Sequence, residues 1–256
     1  MLSTCKYLPK MIFCFQSLGG TMKKVEIPSC KVCLARQKSV FSELSEQQME
    51  EMDQRKGCNF YKKGQIIFME GSHPTGLYCI HKGKVKIYKI GEIGREQIVR
   101  LAGEGDILGY RSLISGESYR ATGETLEDSL ICQLPRELFF EMIQTDHQLA
   151  MQLMQFVCRE LGAAENRMLQ LAQKPVRERL AEVLLILREK YGLQSDQKTL
   201  NVQLTREDLA NIVGTATETT IRLLTEFKNQ RLIGSKGRRI QILNPQQLVR
   251  IANIYD

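Results

Sequence analysis

At 256 residues, with 43% hydrophobic and 25% charged positions, the chain has an ordinary globular composition and length enough for one large domain or two smaller ones. Its formal charge of +7 leans toward a polyanionic partner. Eight cysteines are scattered at 5, 14, 30, 33, 58, 79, 132 and 158, in a chain large enough to bury a core without staples, which sets aside a small disulfide scaffold and favours a reducing, cytoplasmic setting.

The first segment, residues 1–29, reads as an unstructured leader. Its apolar run Met11–Leu18 is short and broken by Gln16, and a second methionine opens "MKKVEIP" at 22. No stretch of the chain approaches the length of a membrane span. Next comes "CKVC" at 30–33, a spacing that suits a metal, an iron–sulfur cluster, a redox disulfide or nothing. "SVFSELSEQQMEEM" (39–52) predicts a short helix with Ser45 as N-cap and Gln48 closing a capping box. From 58 to 134, short alternating runs such as Leu77–Ile80 and Val85–Tyr88 fall between glycines, the pattern of an antiparallel barrel or sandwich. Cys79 and Cys158 sit in apolar patterns and read as plain buried thiols.

A long helix is predicted after Pro135. Ala150, Met154, Val157, Leu161, Ala164, Met168 and Leu171 recur at alternating spacings of four and three, a heptad stripe. Two settings are open to it: the seam of a homodimeric coiled coil, with Met154, Val157, Leu161, Ala164, Met168 and Leu171 at the interface, or the core of its own domain. Pro175 closes this helix, and "PVRERLAEVLLILREKYG" is a second amphipathic helix stopped by Gly192.

The most informative stretch is "LTREDLANIVGTATETTIRLLTEFKNQRLIGSKGRRIQIL" (204–243). Thr205 caps a short helix with Asp208 reaching back to it, Gly214 makes a tight turn, and Thr215 opens a second helix with Glu218 spaced as another capping box. On that helix Leu223, Leu224 and Phe227 turn inward, whereas Thr217, Glu218, Ile221 and Arg222 share the exposed N-terminal side. This is a helix–turn–helix, whose second helix enters the major groove. A glutamate can accept from the cytosine amino group and an arginine can donate twice to guanine. The following strand–glycine–strand reads as a wing carrying Lys236, Arg238 and Arg239 for phosphates. Residues 222–250 hold seven basic side chains against one acid, Glu226, so the excess charge gathers where DNA would lie. No catalytic constellation competes. His73, His81 and His147 have no recognisable nucleophile partner, "GEGDILG" lacks the lysine of a phosphate loop, and the Cys-x-x-Cys lacks the βαβ setting of a thiol oxidoreductase.

A glycine-punctuated roll, a dimer helix and a winged helix–turn–helix, in that order, resemble the CRP/FNR family of bacterial transcription regulators. The resemblance covers roughly residues 30–245 and rests on "YKKGQIIFMEG", "GLYCIHKGKVKIY", "GDILG" and "LTREDLANIVGTATETTIRLL". It implies a non-enzymatic homodimer on an inverted-repeat promoter site, working with RNA polymerase and away from membranes. Glu218 and Arg222 match the family's base-reading pair. Position 217 is threonine where the cyclic-AMP branch has arginine, and Ile221 replaces the small residue of the FNR branch.

Two kinds of signal follow from the resemblance. Cyclic-AMP-binding members place a glutamate after the "GD..G" glycine and an arginine some ten residues on. Here Gly109 is followed by Tyr110, and the second position aligns as Tyr119 with Arg120 beside it. A cyclic nucleotide would lose both anchors. The oxygen-sensing branch holds a [4Fe–4S] cluster on four cysteines, of which Cys30, Cys33 and Cys132 match while the third position is Ser39, a poor donor to iron. Cys14 or Cys58 could supply the missing ligand, although neither sits at the family spacing.

The expected architecture is α+β: a leader (1–29), a cyclic-nucleotide-binding-type β-roll of jelly-roll form (30–145), a dimerisation helix (146–173) and a winged helix–turn–helix (174–256). The expected function is a DNA-binding transcription regulator answering to redox state, oxygen or nitric oxide at its N-terminal cysteines, with a [4Fe–4S] cluster as a candidate cofactor. A cyclic-nucleotide-responsive regulator or sensory protein of the same fold is the alternative.

Overall fold

The computed structural model describes residues 11–12, 25–26, 28–92 and 94–254. The expectation of an unstructured leader falls largely outside them. Within it, however, β1 (Met11–Ile12) pairs antiparallel with β2 (Val25–Glu26), so the two extended dipeptides satisfy one another's backbone groups.

The chain divides into two compact units, one of residues up to Lys86 with Leu101–Phe156, the other of Ile87–Arg100 with Val157–Asp256. The first unit opens with a 3-10 turn at Cys30–Val32 and two short helices, α1 (Leu34–Gln37) and α2 (Glu46–Arg55). Helix α2 begins as its sequence dictates: the Ser45 hydroxyl accepts from Gln48 N, and the Gln48 side chain accepts from Ser45 N at 2.8 Å.

Two four-stranded sheets make the roll. One runs β3 (Gly57–Tyr61), β10 (Ser129–Pro135), β5 (Gly76–Lys82), β8 (Ile107–Leu108); the other runs β4 (Ile66–Phe68), β9 (Thr122–Thr125), β6 (Val85–Ile90), β7 (Glu96–Ala102). A short helix, α3 (Tyr110–Ser115), follows β8. Alternation drives Leu77, Ile107 and Leu134 inward, where they pack with Phe41, Leu138 and Phe139 in one buried cluster. Each such side chain stabilises the fold by about 1.5–3 kcal/mol. Gly83 is obligatory: its φ is 119°, and a Cβ there would lie 2.1 Å from Ser129 Oγ.

The long helix expected after Pro135, bounded at 146–173, is α5 (His147–Gln173), and a separate helix, α4 (Arg136–Thr145), precedes it. Asp146 separates them in an extended conformation, its carboxylate accepting from Gln148 N and Leu149 N, both at 2.9 Å. An N-cap aspartate stabilises a fresh helix start better than it continues an old one.

In the second unit α6 (Val176–Tyr191) runs between Pro175 and Gly192, followed by α7 (Arg206–Val213), α8 (Thr217–Asn229), β11 (Ile233–Lys236), β12 (Arg239–Ile242) and α9 (Pro245–Ala252). Leu184, Leu187, Leu209, Phe227 and Leu248 are fully buried between these elements. Helix α9 lies beyond the strands with which the sequence reading ended. Its signal was the Asn244–Pro245 pair: the Asn244 side chain accepts from Gln247 N, and Pro245 occupies the first helical turn. Among the described residues no helix is long and apolar enough to cross a membrane.

Candidate functional site

Helices α7 and α8 form a helix–turn–helix from local rules. Thr205 Oγ accepts from Asp208 N at 2.9 Å, and Asp208 accepts from Thr205 N at 3.0 Å, which pins the start of α7. Gly214 ends it at φ 72° in the left-handed region. The expected second capping box at Thr215 and Glu218 does not form. Thr215 N instead donates to Ala210 O at 3.1 Å, completing the α7 end, and Ala216 occupies the N-cap of α8 with no side-chain bond. Both residues stay at the turn, but the first amides of α8 are left open for an outside acceptor.

Leu223, Leu224 and Phe227 are buried, while Glu218, Ile221 and Arg222 are exposed and Thr217 is half-exposed. The four predicted base-facing residues therefore share the outer face of the first turns of α8. Thr205 is exposed as well, but its hydroxyl is engaged by Asp208. In the wing, β11 pairs antiparallel with β12 around Gly237, with Lys236 and Arg238 exposed and Arg239 half-exposed at the tip. The wing is anchored through Asp196. That carboxylate accepts from Thr199 Oγ1 (2.6 Å), Thr199 N (2.8 Å) and Lys198 N (3.1 Å), and Lys236 Nζ lies 3.4 Å away. These bonds, the Thr199 hydroxyl first, hold the Asp196 carboxyl well below the usual carboxylate range.

A hub that sequence reasoning missed joins α5 to the turn. The Arg179 guanidinium donates to Val213 O (2.9 Å) and Gly214 O (3.2 Å) on one side and to Leu171 O (3.2 Å) and Lys174 O (2.7 Å) on the other. In the sequence it is one more arginine on an amphipathic helix. The expected seam residues Met154, Val157, Leu161, Ala164, Met168 and Leu171 are all solvent-exposed along α5, whereas Leu149 and Leu153 face the roll's core.

Cysteines gather in the first unit. Cys30, Cys33, Cys79 and Cys132 line one cavity with Ser39 and His81. Lys56 and Arg36 clamp the segment that carries the first pair. Lys56 Nζ donates to Asp53 Oδ1 (2.6 Å), Pro28 O (2.8 Å) and Cys30 Sγ (3.0 Å), while Arg36 reaches Cys30 O (2.8 Å) and Phe41 O (2.6 Å). Burial pushes the Cys30 thiol up to about 11 despite Lys56. Burial also raises Cys33, but the hydrogen bonds with His81 Nδ1 (3.2 Å) and Arg36 N outweigh it and hold that thiol below its ordinary value. Burial takes Cys79 up to about 12. Cys58, Cys132 and Cys79 lie directly opposite one another on β3, β10 and β5, and Cys132 is disulfide-bonded to Cys58. The plain-thiol reading is corrected at Cys158, which is exposed, whereas Cys79 is a free, half-buried thiol packed against the roll's buried cluster. Cys158 lies about 140° around α5 from the inward-facing Leu153, at about 100° per residue.

Residues 58–146 match the cyclic nucleotide-binding domain family, and residues 178–251 match the Crp-like helix-turn-helix domain family. The fumarate and nitrate reduction regulatory protein of Vibrio cholerae is 30% identical over 229 residues, covering 88% of this chain and 90% of that protein. The chain belongs to the CRP/FNR family of transcription regulators. Electron transport regulator A of Shewanella oneidensis is 32% identical over 192 residues, 75% of this chain and 76% of its own. Among solved structures, FixK2 from Bradyrhizobium japonicum matches with a TM-score of 0.70 at 28% identity, covering 78% of this chain and 99% of that one. This CRP/FNR protein is accordingly a DNA-binding regulator and not an enzyme.

Against that family the two expected sensor sites differ. Of the expected effector-pocket residues, Gly109 and Tyr119 are in contact, whereas Arg120 turns to the surface. Tyr119 is buried and stacked on Phe68 with centroids 4.4 Å apart, Gly109 backs onto it, Tyr110 meets the Phe156 edge at 5.1 Å, and Arg120 pairs with Glu117 on the surface. Aromatic packing thus stands where the cyclic-AMP branch keeps its carboxylate and guanidinium. The cluster ligands do not fit a [4Fe–4S] centre as arranged. Cys132 is bonded to Cys58, and Ser39 Oγ donates to Arg36 O at 2.7 Å. Among the described residues no group of three or more cysteine, histidine or acidic side chains converges to hold a metal.

Proposed function

We propose that this CRP/FNR regulator acts in the cytoplasm as a homodimer that reads an inverted-repeat promoter site and works with RNA polymerase there. The reading is carried by one observation: Glu218, Ile221 and Arg222 are exposed on the first turns of α8 while Leu223, Leu224 and Phe227 are buried behind them. Glu218 and Arg222 then take base edges, Thr217 and Ile221 tune the neighbouring positions, and Lys236, Arg238 and Arg239 hold phosphates. Thr205 and Thr215 shape the turn.

The exposed stripe from Met154 to Leu171 supports the dimer, because a run of apolar side chains at heptad spacing gains stability only when a second copy covers it. The signal is redox in kind. Its support is the gathering of Cys30, Cys33, Cys79 and Cys132 around one cavity, together with relatives named as fumarate and nitrate reduction regulatory protein and electron transport regulator A. A change at the cavity alters the roll and, through α5 and Arg179, the setting of α8.

The test is binding of the full-length protein to a duplex with two inverted half-sites about one helical turn apart, followed by fluorescence anisotropy over a salt series. Tight, salt-dependent binding that is lost in the Glu218→Ala/Arg222→Ala double variant is expected. Binding that ignores salt, or that survives the double substitution, overturns the reading.

A further inference from the structure

We infer that the Cys58–Cys132 bond is a reversible thiol–disulfide switch, and that the redox signal proposed above is the cell's thiol–disulfide poise, read at this bond. The inference rests on that redox reading and gives it a chemical address. Three observations carry it. Cys58 and Cys132 face each other in register on adjacent antiparallel strands with Cα atoms 4.0 Å apart, a placement in which the bond can open and close without moving either strand far. Both sulfurs belong to a DNA-binding regulator, which works in the compartment that holds DNA, where thiols are kept reduced and a disulfide is commonly transient and redox-sensing. Third, the two sulfurs are unequal. Cys58 is 2% exposed and buried, whereas Cys132 is half-buried and lines the cavity with Cys30, Cys33 and Cys79.

That inequality sets the direction of attack. In reduction, a thiolate entering the cavity attacks Cys132 Sγ. The Cys58–Cys132 bond breaks, Cys58 leaves as thiolate and takes up a proton, and a second thiol of the reductant resolves the mixed disulfide to free Cys132. In oxidation by a low-molecular-weight disulfide such as oxidised glutathione, the Cys132 thiolate attacks and displaces one glutathione. Cys58 then attacks Cys132 Sγ and displaces the second, so two electrons pass from the cysteine pair to the glutathione disulfide. The same bond accounts for the misfit of the cluster ligands: while it is closed, Cys132 is withheld from the other thiols of the cavity.

The experiment equilibrates full-length protein in graded ratios of reduced to oxidised glutathione, quenches with acid, alkylates free thiols and maps them by mass spectrometry. Cys58 and Cys132 are expected to be protected together, through one reversible transition, as a cross-linked peptide pair. In Cys58→Ser the cross-link is lost and a glutathione adduct accumulates on Cys132; Cys132→Ser leaves Cys58 unmodified. A cross-link that survives excess reduced glutathione in the native protein is a structural staple and overturns the inference, as does its failure to form, or an adduct on Cys58 in place of Cys132. Circular dichroism melts of Cys58→Ser and Cys58→Ala guard against misfolding, and the native-protein titration decides the matter should both variants unfold. Duplex binding on the same samples reads the regulator proposal separately: its absence in both redox states overturns that proposal, while the thiol map alone decides the switch.

Discussion

Arg179 donates a hydrogen bond of 2.9 Å to the carbonyl of Val213, the last residue of α7. The same guanidinium also holds Leu171 O and Lys174 O, so the end of α5 and the turn between α7 and α8 share one side chain. Arg179→Ala removes these bonds and leaves carbonyls unpaired, a loss of about 2 kcal/mol or more. A thermal melt several degrees lower, with weakened duplex binding, is the expected outcome. Arg179→Lys recovers little of it, since an ammonium cannot span four acceptors in a plane.

The residues proposed to read bases and those proposed to hold phosphates are separated by the character of their loss. Glu218→Ala or Arg222→Ala is expected to cost about 1–3 kcal/mol on the cognate duplex and to relax preference at one base pair, with little change on unrelated DNA. Lys236→Ala or Arg238→Ala weakens binding to all sequences alike and lowers the salt slope by about one. Anisotropy titrations on cognate and scrambled duplexes distinguish the two classes.

Met154 is 58% and Leu161 60% exposed on α5, two turns apart on one stripe. Met154→Asp or Leu161→Asp puts a charge into the proposed seam, where its desolvation opposes association. Analytical ultracentrifugation is expected to find monomers, with each folded chain keeping its helical circular dichroism. A dimer persisting in both variants would place the interface elsewhere.

Asp196 provides a pH signature for the wing. Its folded-state carboxyl is held below the ordinary carboxylate value by Thr199 and Lys198, so its contribution is complete above about pH 4 and falls away as pH drops through the lower folded value. Acid melts of the native protein are expected to lose this contribution only below about pH 4. In Asp196→Ala that part of the acid dependence disappears, and DNA affinity falls at neutral pH as the wing loosens.

Much of the DNA-binding half was legible because its devices are local. The Thr205–Asp208 capping box, the left-handed Gly214 and the inward Leu223, Leu224 and Phe227 are set by neighbours within four residues, and the structure places them as read. Thr215 was misjudged as a cap because its amide is claimed by Ala210, a competition between two helix ends that spacing alone does not reveal. Asp146 starts α5 where the reading bounded it, at 146, but the short α4 before it was not read as a separate helix.

By itself, then, the sequence determined the order of the parts: a roll punctuated by glycines, an apolar heptad stripe, and a capped, basic helix–turn–helix with its wing. These are written in periods of two, three and four residues, the range over which backbone geometry acts. Only the tertiary structure decided what the cysteines are to one another. Cys58, Cys79 and Cys132 are distant in the chain and become neighbours through strand pairing, and Cys30 and Cys33 join them because Lys56 and Arg36 clamp their segment beside the roll. Which thiols meet is a matter of sheet register and side-chain clamps, long-range contacts whose partners no local pattern names.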